Sequence, residues 1–373
     1  MKFASHDRSG AMSQFLKLSI FVAASFAALV LLLFNVWSLQ RRVQWLEEIQ
    51  QKNNGGFPSG GGGNAAALSD GGGGFSTRRE VFQEGQVIFY NRVPKCGSTT
   101  LMGVVYALAR TNRFHCLHVN VTKNDHYMSP SDQYDFAWNV TTWGKRLPGF
   151  YHGHIVYIDF ARFGAPPPLF IQLVRDPIER MVSYYYFLRY GDDYRPNLTR
   201  SRMGDSMSFD DCVLKGHRDC QPRNWWIQIP FFCGMSPQCR VPGSQWALEQ
   251  AKRNLVDKYV VVGVTEQIPE FVAVLEATLP RFFKGALNLF RTGGKSHLRK
   301  TNKKVPPKPE TIKVIKATRE WQMENELYQL AVVVFNDLKR RTLKASKTDV
   351  GEMHYVPRGR QFFFEKVIGP RPL

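Results

Sequence analysis

Three stretches of different hydrophobic patterning succeed one another along the chain. From Leu18 to Trp37 apolar residues are almost continuous, with Asn35 the only strongly polar member. About 20 such residues span a bilayer as a helix. A cleavable signal peptide would carry a shorter apolar region of roughly 7–15 residues followed by a small-residue cleavage site, whereas Arg41 and Arg42 follow here directly. The pattern therefore predicts a tail at 1–17 and an uncleaved signal anchor at 18–38. Next, Leu39, Val43 and Leu46 recur at helical spacing among charges, over too short a span for a coiled coil. Ten glycines then fall within residues 51–75. Residues 39–80 read as a stem and flexible linker. Apolar density rises at Val81, and residues 81–373 are expected to form one folded domain.

Within that domain the pattern switches between continuous apolar runs and helical periodicity. Strands are predicted over Gln86–Val93, His115–Val121, Phe150–Ile158, Leu169–Val174 and Tyr259–Val264. Helices are predicted from Ser98 to Arg110, from Pro177 to Arg189 with Asp176 as N-cap, over Pro269–Leu279, and over Trp321–Lys339. Fully apolar strands alternating with helices specify an α/β fold with a central parallel sheet flanked by helices.

Charge narrows the partner. Lys and Arg total 50 against 31 Asp and Glu, a net +19, which calls for a polyanion: nucleic acid, an anionic membrane surface or an acidic polysaccharide. Sequons at Asn120, Asn139 and Asn197 all lie downstream of the apolar run, as they would in a lumenal body. Lys2, Arg8 and Lys17 before the run marginally outweigh the Arg pair after it, which favours a cytoplasmic N-terminus. Two close cysteine pairs, Cys212/Cys220 and Cys233/Cys239, suit short disulfide loops in an oxidising compartment. Zinc competes as an explanation, but neither pair has C-x2-C spacing. Cys96 is committed to the loop after the first strand, and Cys116, on a predicted strand, is expected to be a buried free thiol.

Three constellations carry chemistry. Between the first strand and helix runs Lys95-Cys96-Gly97-Ser98-Thr99-Thr100. A glycine allows close backbone approach, the helix N-terminus presents free N–H groups, and Lys95 adds a charge: an anion cradle, although an ordinary strand–glycine–helix turn has the same outline. It is not a Walker A loop, because the lysine precedes the glycine. The second constellation is Arg175 at a strand end with Ser183 in the following helix. They suit a second phosphate, or Arg175 pairs locally with Asp176 or Glu179. His152 and His154 form the third. Residues i and i+2 of a strand share a face, and an imidazole titrating near neutrality suits a general base; a metal pair lacking a third ligand, or two structural histidines, are the alternatives.

The Pro-Lys-x-x-Ser-Thr segment followed by Arg-Asp-Pro and Ser resembles the cofactor signature of membrane-bound sulfotransferases. The longer motifs Tyr-His-Gly-His, Arg-Asp-Pro-Ile-Glu-Arg, Gly-Asp-Asp-Tyr-Arg-Pro and Lys-Ser-His-Leu-Arg-Lys-Thr are similar to those of the heparan sulfate 2-O-sulfotransferase family over nearly all of residues 86–368. The resemblance implies a P-loop-like sulfotransferase domain that takes 3′-phosphoadenosine 5′-phosphosulfate (PAPS) as sulfate donor, with no metal. By position, Lys95, Cys96, Gly97, Ser98, Thr99 and Thr100 would hold the 5′-phosphosulfate and Arg175 and Ser183 the 3′-phosphate. Ser296, Thr301 and Lys304 would belong to a loop closing over the nucleotide, and Phe290 would also contact it. Arg92, His118, Lys123, Asn124, Arg195, Arg200 and Arg299 would contact the polysaccharide. His154 would act as base with His152 assisting, and Lys95 would stabilise the leaving group.

The family pattern also implies a homotrimer and a Golgi type II membrane protein acting on heparan sulfate rather than nucleic acid. Cys96-Gly97 departs from the family's Thr-Ala and matches the related uronyl 2-O-sulfotransferases of dermatan and chondroitin sulfate, which keeps that substrate as the alternative. A nucleotide kinase would need a lysine after the glycines. A non-catalytic heparin-binding protein would explain the seven Lys and Arg of residues 291–308 but not the Lys95 loop.

Overall fold

The computed structural model describes residues 86–122, 125–193, 195, 197–293, 300–347 and 353–359. The expected tail, anchor and stem (1–17, 18–38 and 39–80) lie outside the described residues, as do Lys123, Asn124, Ser296 and Arg299. No helix among the described residues is long and apolar enough to cross a membrane.

In chain order the elements are β1 (Val87–Asn91), α1 (Ser98–Thr111), β2 (His115–His118), α2 (Pro130–Thr142), β3 (Gly149–Gly153), β4 (Leu169–Val174), α3 (Pro177–Tyr190), α4 (Phe209–Leu214), α5 (Gln228–Cys233), α6 (Gln245–Asp257), β5 (Tyr259–Val264), α7 (Ile268–Thr278), α8 (Pro280–Phe283), α9 (Ala286–Thr292), α10 (Pro309–Lys316), α11 (Arg319–Thr342), β6 (Leu343–Lys347) and β7 (Met353–Pro357). Strands β1 to β5 form a sheet in the order β2-β3-β1-β4-β5, and every pairing in it is parallel. β6 and β7 make a separate antiparallel hairpin. β1 reads Val-Ile-Phe-Tyr-Asn and is buried at all five positions, the signature of a strand covered by helices on both faces. The helix after β1 leads toward β2 and the one after β4 toward β5, so strand order reverses between β1 and β4. In open parallel sheets, ligands sit at such a reversal, beyond the carboxyl ends of the strands.

Local sequence sets the entry to α3. The Asp176 side chain accepts from the Glu179 backbone N–H at 2.9 Å, and Pro177 occupies the first turn. β3 ends at Gly153, five residues short of the sequence expectation, because the chain beyond it leaves the sheet: Val156 N–H donates to the His126 carbonyl and Tyr157 N–H to that of Phe231. Disulfides join Cys212 to Cys220 and Cys233 to Cys239. Cys96 is a buried free thiol, while Cys116, expected to be buried, is only half-buried because β2 is the edge strand of the sheet. Burial pushes both thiols up to about 12.

Beneath the reversal lies a buried polar knot. Asn91 donates to the Phe231 carbonyl at 3.0 Å, and its Oδ1 accepts from Gln172 Nε2 and Tyr259 Oη, each at 3.1 Å. β1, β4, β5 and α5 are thereby cross-linked just below the residues that follow β1. Replacing Asn91 by Ala takes the acceptor from the buried Tyr259 hydroxyl and one bond each from Gln172 and the Phe231 carbonyl, which keep their bonds to the residue-91 carbonyl and the Tyr157 N–H, and is expected to cost about 2 kcal/mol. Urea denaturation measures it, and a loss under about 1 kcal/mol would show the knot to be dispensable.

Candidate active site

The loop after β1 turns on two left-handed residues, Lys95 at φ 67° and Gly97 at φ 74°. A Cβ on Gly97 would lie 3.0 Å from Ile268 Cδ1, so glycine meets both the backbone and the space requirement there. Ser98 then opens α1 with neither a side-chain cap nor an acidic residue in its first turn. The N-terminal end of its dipole is thus not neutralised from within the helix. Lys95 Nζ reaches Thr301 Oγ1 at 3.3 Å and sits 4.1 Å from the centre of the Phe187 ring; the Arg200 guanidinium lies 4.2 Å from the same ring.

Arg175 emerges from β4 beside this loop and donates to the Lys95 carbonyl at 3.4 Å. Its other nitrogen pairs with Glu179 at 3.1 Å, and Lys304 meets the same carboxylate oxygen at 2.5 Å. Burial alone would raise the Glu179 carboxyl, but the bonds to Lys304 and Arg175 hold it below the usual range. Local pairing of Arg175 with Glu179, one of the two readings open from sequence, is therefore present, and it gathers two cations rather than silencing one. Ser183 Oγ bonds Thr301 Oγ1 at 3.1 Å, and Thr301 pairs with Asp192 in a β-bridge, so the 300–304 segment lies down on the far end of α3. Lys95, Arg175, Ser183, Thr301 and Lys304 thus form one continuous cation-rich lining. Ser98 and Thr100 are buried in the first turn of α1. Phe290, expected to touch nucleotide, is buried in the main core on α9.

The histidines stand on the other side of β1. His152, 1% exposed, bonds Tyr106 Oη through Nε2 at 2.9 Å and stacks on His118 with ring centres 4.9 Å apart. His118 in turn lies 3.0 Å from an Arg92 guanidinium nitrogen. His154 falls one residue past the end of β3, and its Nδ1 donates to the Arg92 carbonyl at 2.7 Å. That bond places the proton on Nδ1 and leaves the Nε2 lone pair free to accept. Between the two, Gly153 admits a close backbone approach: a Cβ there would lie 2.4 Å from the Val119 carbonyl oxygen. Burial pushes His152 down to about 3, and Arg92, His118 and His154 add to the shift. Burial, then Arg92, pushes His154 down to about 4 against the opposing bond to the Arg92 carbonyl. Neither titrates near neutrality as the sequence suggested; both are neutral at pH 7, because this corner is desolvated and already positive.

Arg195 lies close enough to His118 to lower it further, after burial and Arg92. Arg92, His118 and Arg195 are thus brought together, whereas Arg200 lies on the Phe187 ring beside Lys95, 3.7 Å from the buried Asp192 carboxylate. Among the described residues no group of three or more His, Cys, Asp or Glu is placed to hold a metal ion. All three sequon asparagines, Asn120, Asn139 and Asn197, are exposed.

The sequence profile of the sulfotransferase family matches residues 78–331. This chain belongs to the sulfotransferase family. Within it, the chain is 51% identical over 286 residues to the heparan sulfate 2-O-sulfotransferase 1 of Gallus gallus, covering 76% of this chain and 79% of that one. It is 49% identical over the same length to the Homo sapiens protein of that name. It is 50% identical over 275 residues to the heparin sulfate O-sulfotransferase of Drosophila melanogaster, covering 74% and 79%.

Sequence reasoning did not single out Tyr106, Phe187 or Gln228, which contact site residues. Tyr106 reads as one more aromatic on a helix, and its bond to a histidine 46 positions away leaves no local signal. With two neutral histidines, His152 buried and His154 partly buried, the protein should lose stability on acidification. A histidine whose folded value lies below the unfolded value of about 6.5 stabilises the fold fully above that pH and loses the contribution as pH falls toward the folded value. His152→Phe should therefore flatten the dependence of melting temperature on pH between about 6.5 and 3. Parallel curves for the two proteins would contradict the burial of a neutral imidazole.

Proposed function

We propose that this protein transfers the sulfuryl group of PAPS to the 2-hydroxyl of a hexuronic acid, chiefly iduronate, in heparan sulfate. One observation carries the reading. Two cation-lined anion sites flank the strand-order reversal, and a neutral histidine with a free basic nitrogen stands just across β1. The nucleotide carries two separate anionic groups, and the residues fit both. Lys95 with the uncapped start of α1 suits the 5′-phosphosulfate. Arg175, Ser183 and Lys304 suit the 3′-phosphate, where Glu179 already bridges the two cations as a phosphate oxygen would.

In this scheme His154 Nε2 accepts the proton of the uronate 2-hydroxyl as its oxygen forms the new bond to sulfur. The bond from sulfur to the leaving phosphate oxygen breaks in line, and Lys95 with the α1 N–H groups stabilises the charge that develops there. His152 is held by Tyr106 and His118 and assists by fixing the β3 end from which His154 projects. Arg92, Arg195 and Arg200 supply guanidinium groups that match carboxylate and sulfate. The acceptor preference for heparan over dermatan or chondroitin sulfate rests on the relatives' names and the Tyr-His-Gly-His motif.

The setting is part of the same proposal. Residues 1–17 would face the cytoplasm, 18–38 would anchor the chain in the Golgi membrane, 39–80 would tether it, and 81–373 would act in the lumen, as a homotrimer. The apolar run, the exposed sequons and the two disulfides support the compartment, and the family resemblance supports the trimer.

Removing the base and removing the grip should differ. His154→Ala should lower turnover by about 10²–10⁴ with affinity for the bisphosphate product nearly unchanged. Lys95→Ala should impair both, because its charge acts in the ground state and more strongly in the transition state. Arg175→Ala should weaken the bisphosphate strongly. Calorimetry and single-turnover rates measure these, and loss of nucleotide binding in His154→Ala as severe as in Arg175→Ala would make the imidazole structural.

A further inference from the structure

Gln228 lies on neither anion loop yet touches both. It is the first residue of α5 and 1% exposed. Its Oε1 accepts from the Arg175 backbone N–H at 3.1 Å, and its Nε2 donates to the Arg175 carbonyl at 3.0 Å. A single amide therefore grips both backbone polar groups of the residue that projects into the second anion site. The same Oε1 accepts from Cys96 Sγ at 3.7 Å, inside the loop after β1. Gln228 is itself fixed by α11. The Glu324 carboxylate on α11, fully buried, accepts from the backbone N–H groups of Ile227, Gln228 and Ile229 at 2.9, 3.1 and 3.0 Å. A chain of hydrogen bonds thus runs from α11 through the start of α5 to the backbone of Arg175.

This matters for the site because an arginine placed by its backbone reaches its ligand with little freedom left to lose. Binding geometries wrong by a fraction of an ångström lose much of the benefit of a charged hydrogen bond. We propose that Gln228 is a positioning residue that fixes Arg175 relative to the Lys95–Thr100 loop and so sets the preference for a nucleotide phosphorylated at both the 3′ and 5′ positions. The proposal rests on the reading above in which Arg175 takes the 3′-phosphate. A purely scaffolding amide, satisfying backbone groups that would otherwise be stranded, predicts something different: lower stability with unchanged selectivity.

The ratio of affinities separates the two. The full chain and its Gln228→Met and Gln228→Leu variants, both uncharged so that no new field enters the site, are titrated calorimetrically with 3′-phosphoadenosine 5′-phosphate and with adenosine 5′-phosphate. The expected result is roughly a tenfold loss of preference for the bisphosphate, arising mainly from that ligand. Asn254→Ala serves as the scaffold control. Asn254 holds the opposite end of α5 through the Phe232 and Cys233 carbonyls at 2.8 and 3.2 Å, so its loss should lower the melting temperature and leave the ratio alone. If the Gln228 variants that fold behave like Asn254→Ala, the inference is overturned. Arg175→Ala is run alongside: if it too keeps the ratio, the assignment of the 3′-phosphate to Arg175 is what fails.

Discussion

Holding several cations within reach of one another is the constraint around which this molecule is arranged. Two unit charges about 4 Å apart repel by about 4 kcal/mol at an effective dielectric near 20, and the carboxyl end of the sheet collects at least six. The fold disperses that repulsion among partners of different kinds. Glu179 is shared by Arg175 and Lys304, the Phe187 ring by Lys95 and Arg200, and Arg92 rests on His118. Burial, with Arg92 adding to it, drives the protons off His152 and His154. Arg92 thus belongs both to the cation cluster and to the setting that keeps the two imidazoles neutral.

Much of this was legible in the sequence where the signal was local. β4 and β5 occupy the expected residues, because continuous apolar runs between turn signals leave little choice of boundary. Asp176-Pro177 announced the start of α3, and Lys95-Cys96-Gly97 announced a strand–loop–helix turn with a glycine that the backbone does require. The short cysteine separations named both disulfides. Residue spacing put both histidines on one face of a strand over Phe150–Ile158, whereas β3 stops at Gly153 and leaves His154 beyond its end.

What escaped was everything made by partners distant in sequence. α2, α4, α5, α6, α8, α9, α10 and the β6–β7 hairpin were not assigned. α4 and α5 are only six residues each, short enough that helical periodicity has no length in which to show. The acidic titration of the histidines depends on Arg92 and on burial, neither of which a motif records. Gln228 gives no sequence signal at all: it stands 53 positions from Arg175 and is held by a carboxylate 96 positions further on. Residues that touch ligand tend to sit in recognisable motifs, and residues that place them do not.

The most direct test of the account is positional. The purified full chain is incubated with radiolabelled PAPS and completely 2-O-desulfated heparin, and the product is cleaved to disaccharides. The account predicts label on the 2-hydroxyl of uronate residues, iduronate above glucuronate, and much less when dermatan sulfate is the acceptor. Label on glucosamine positions, label confined to dermatan, or retention of the polymer without incorporation would contradict it.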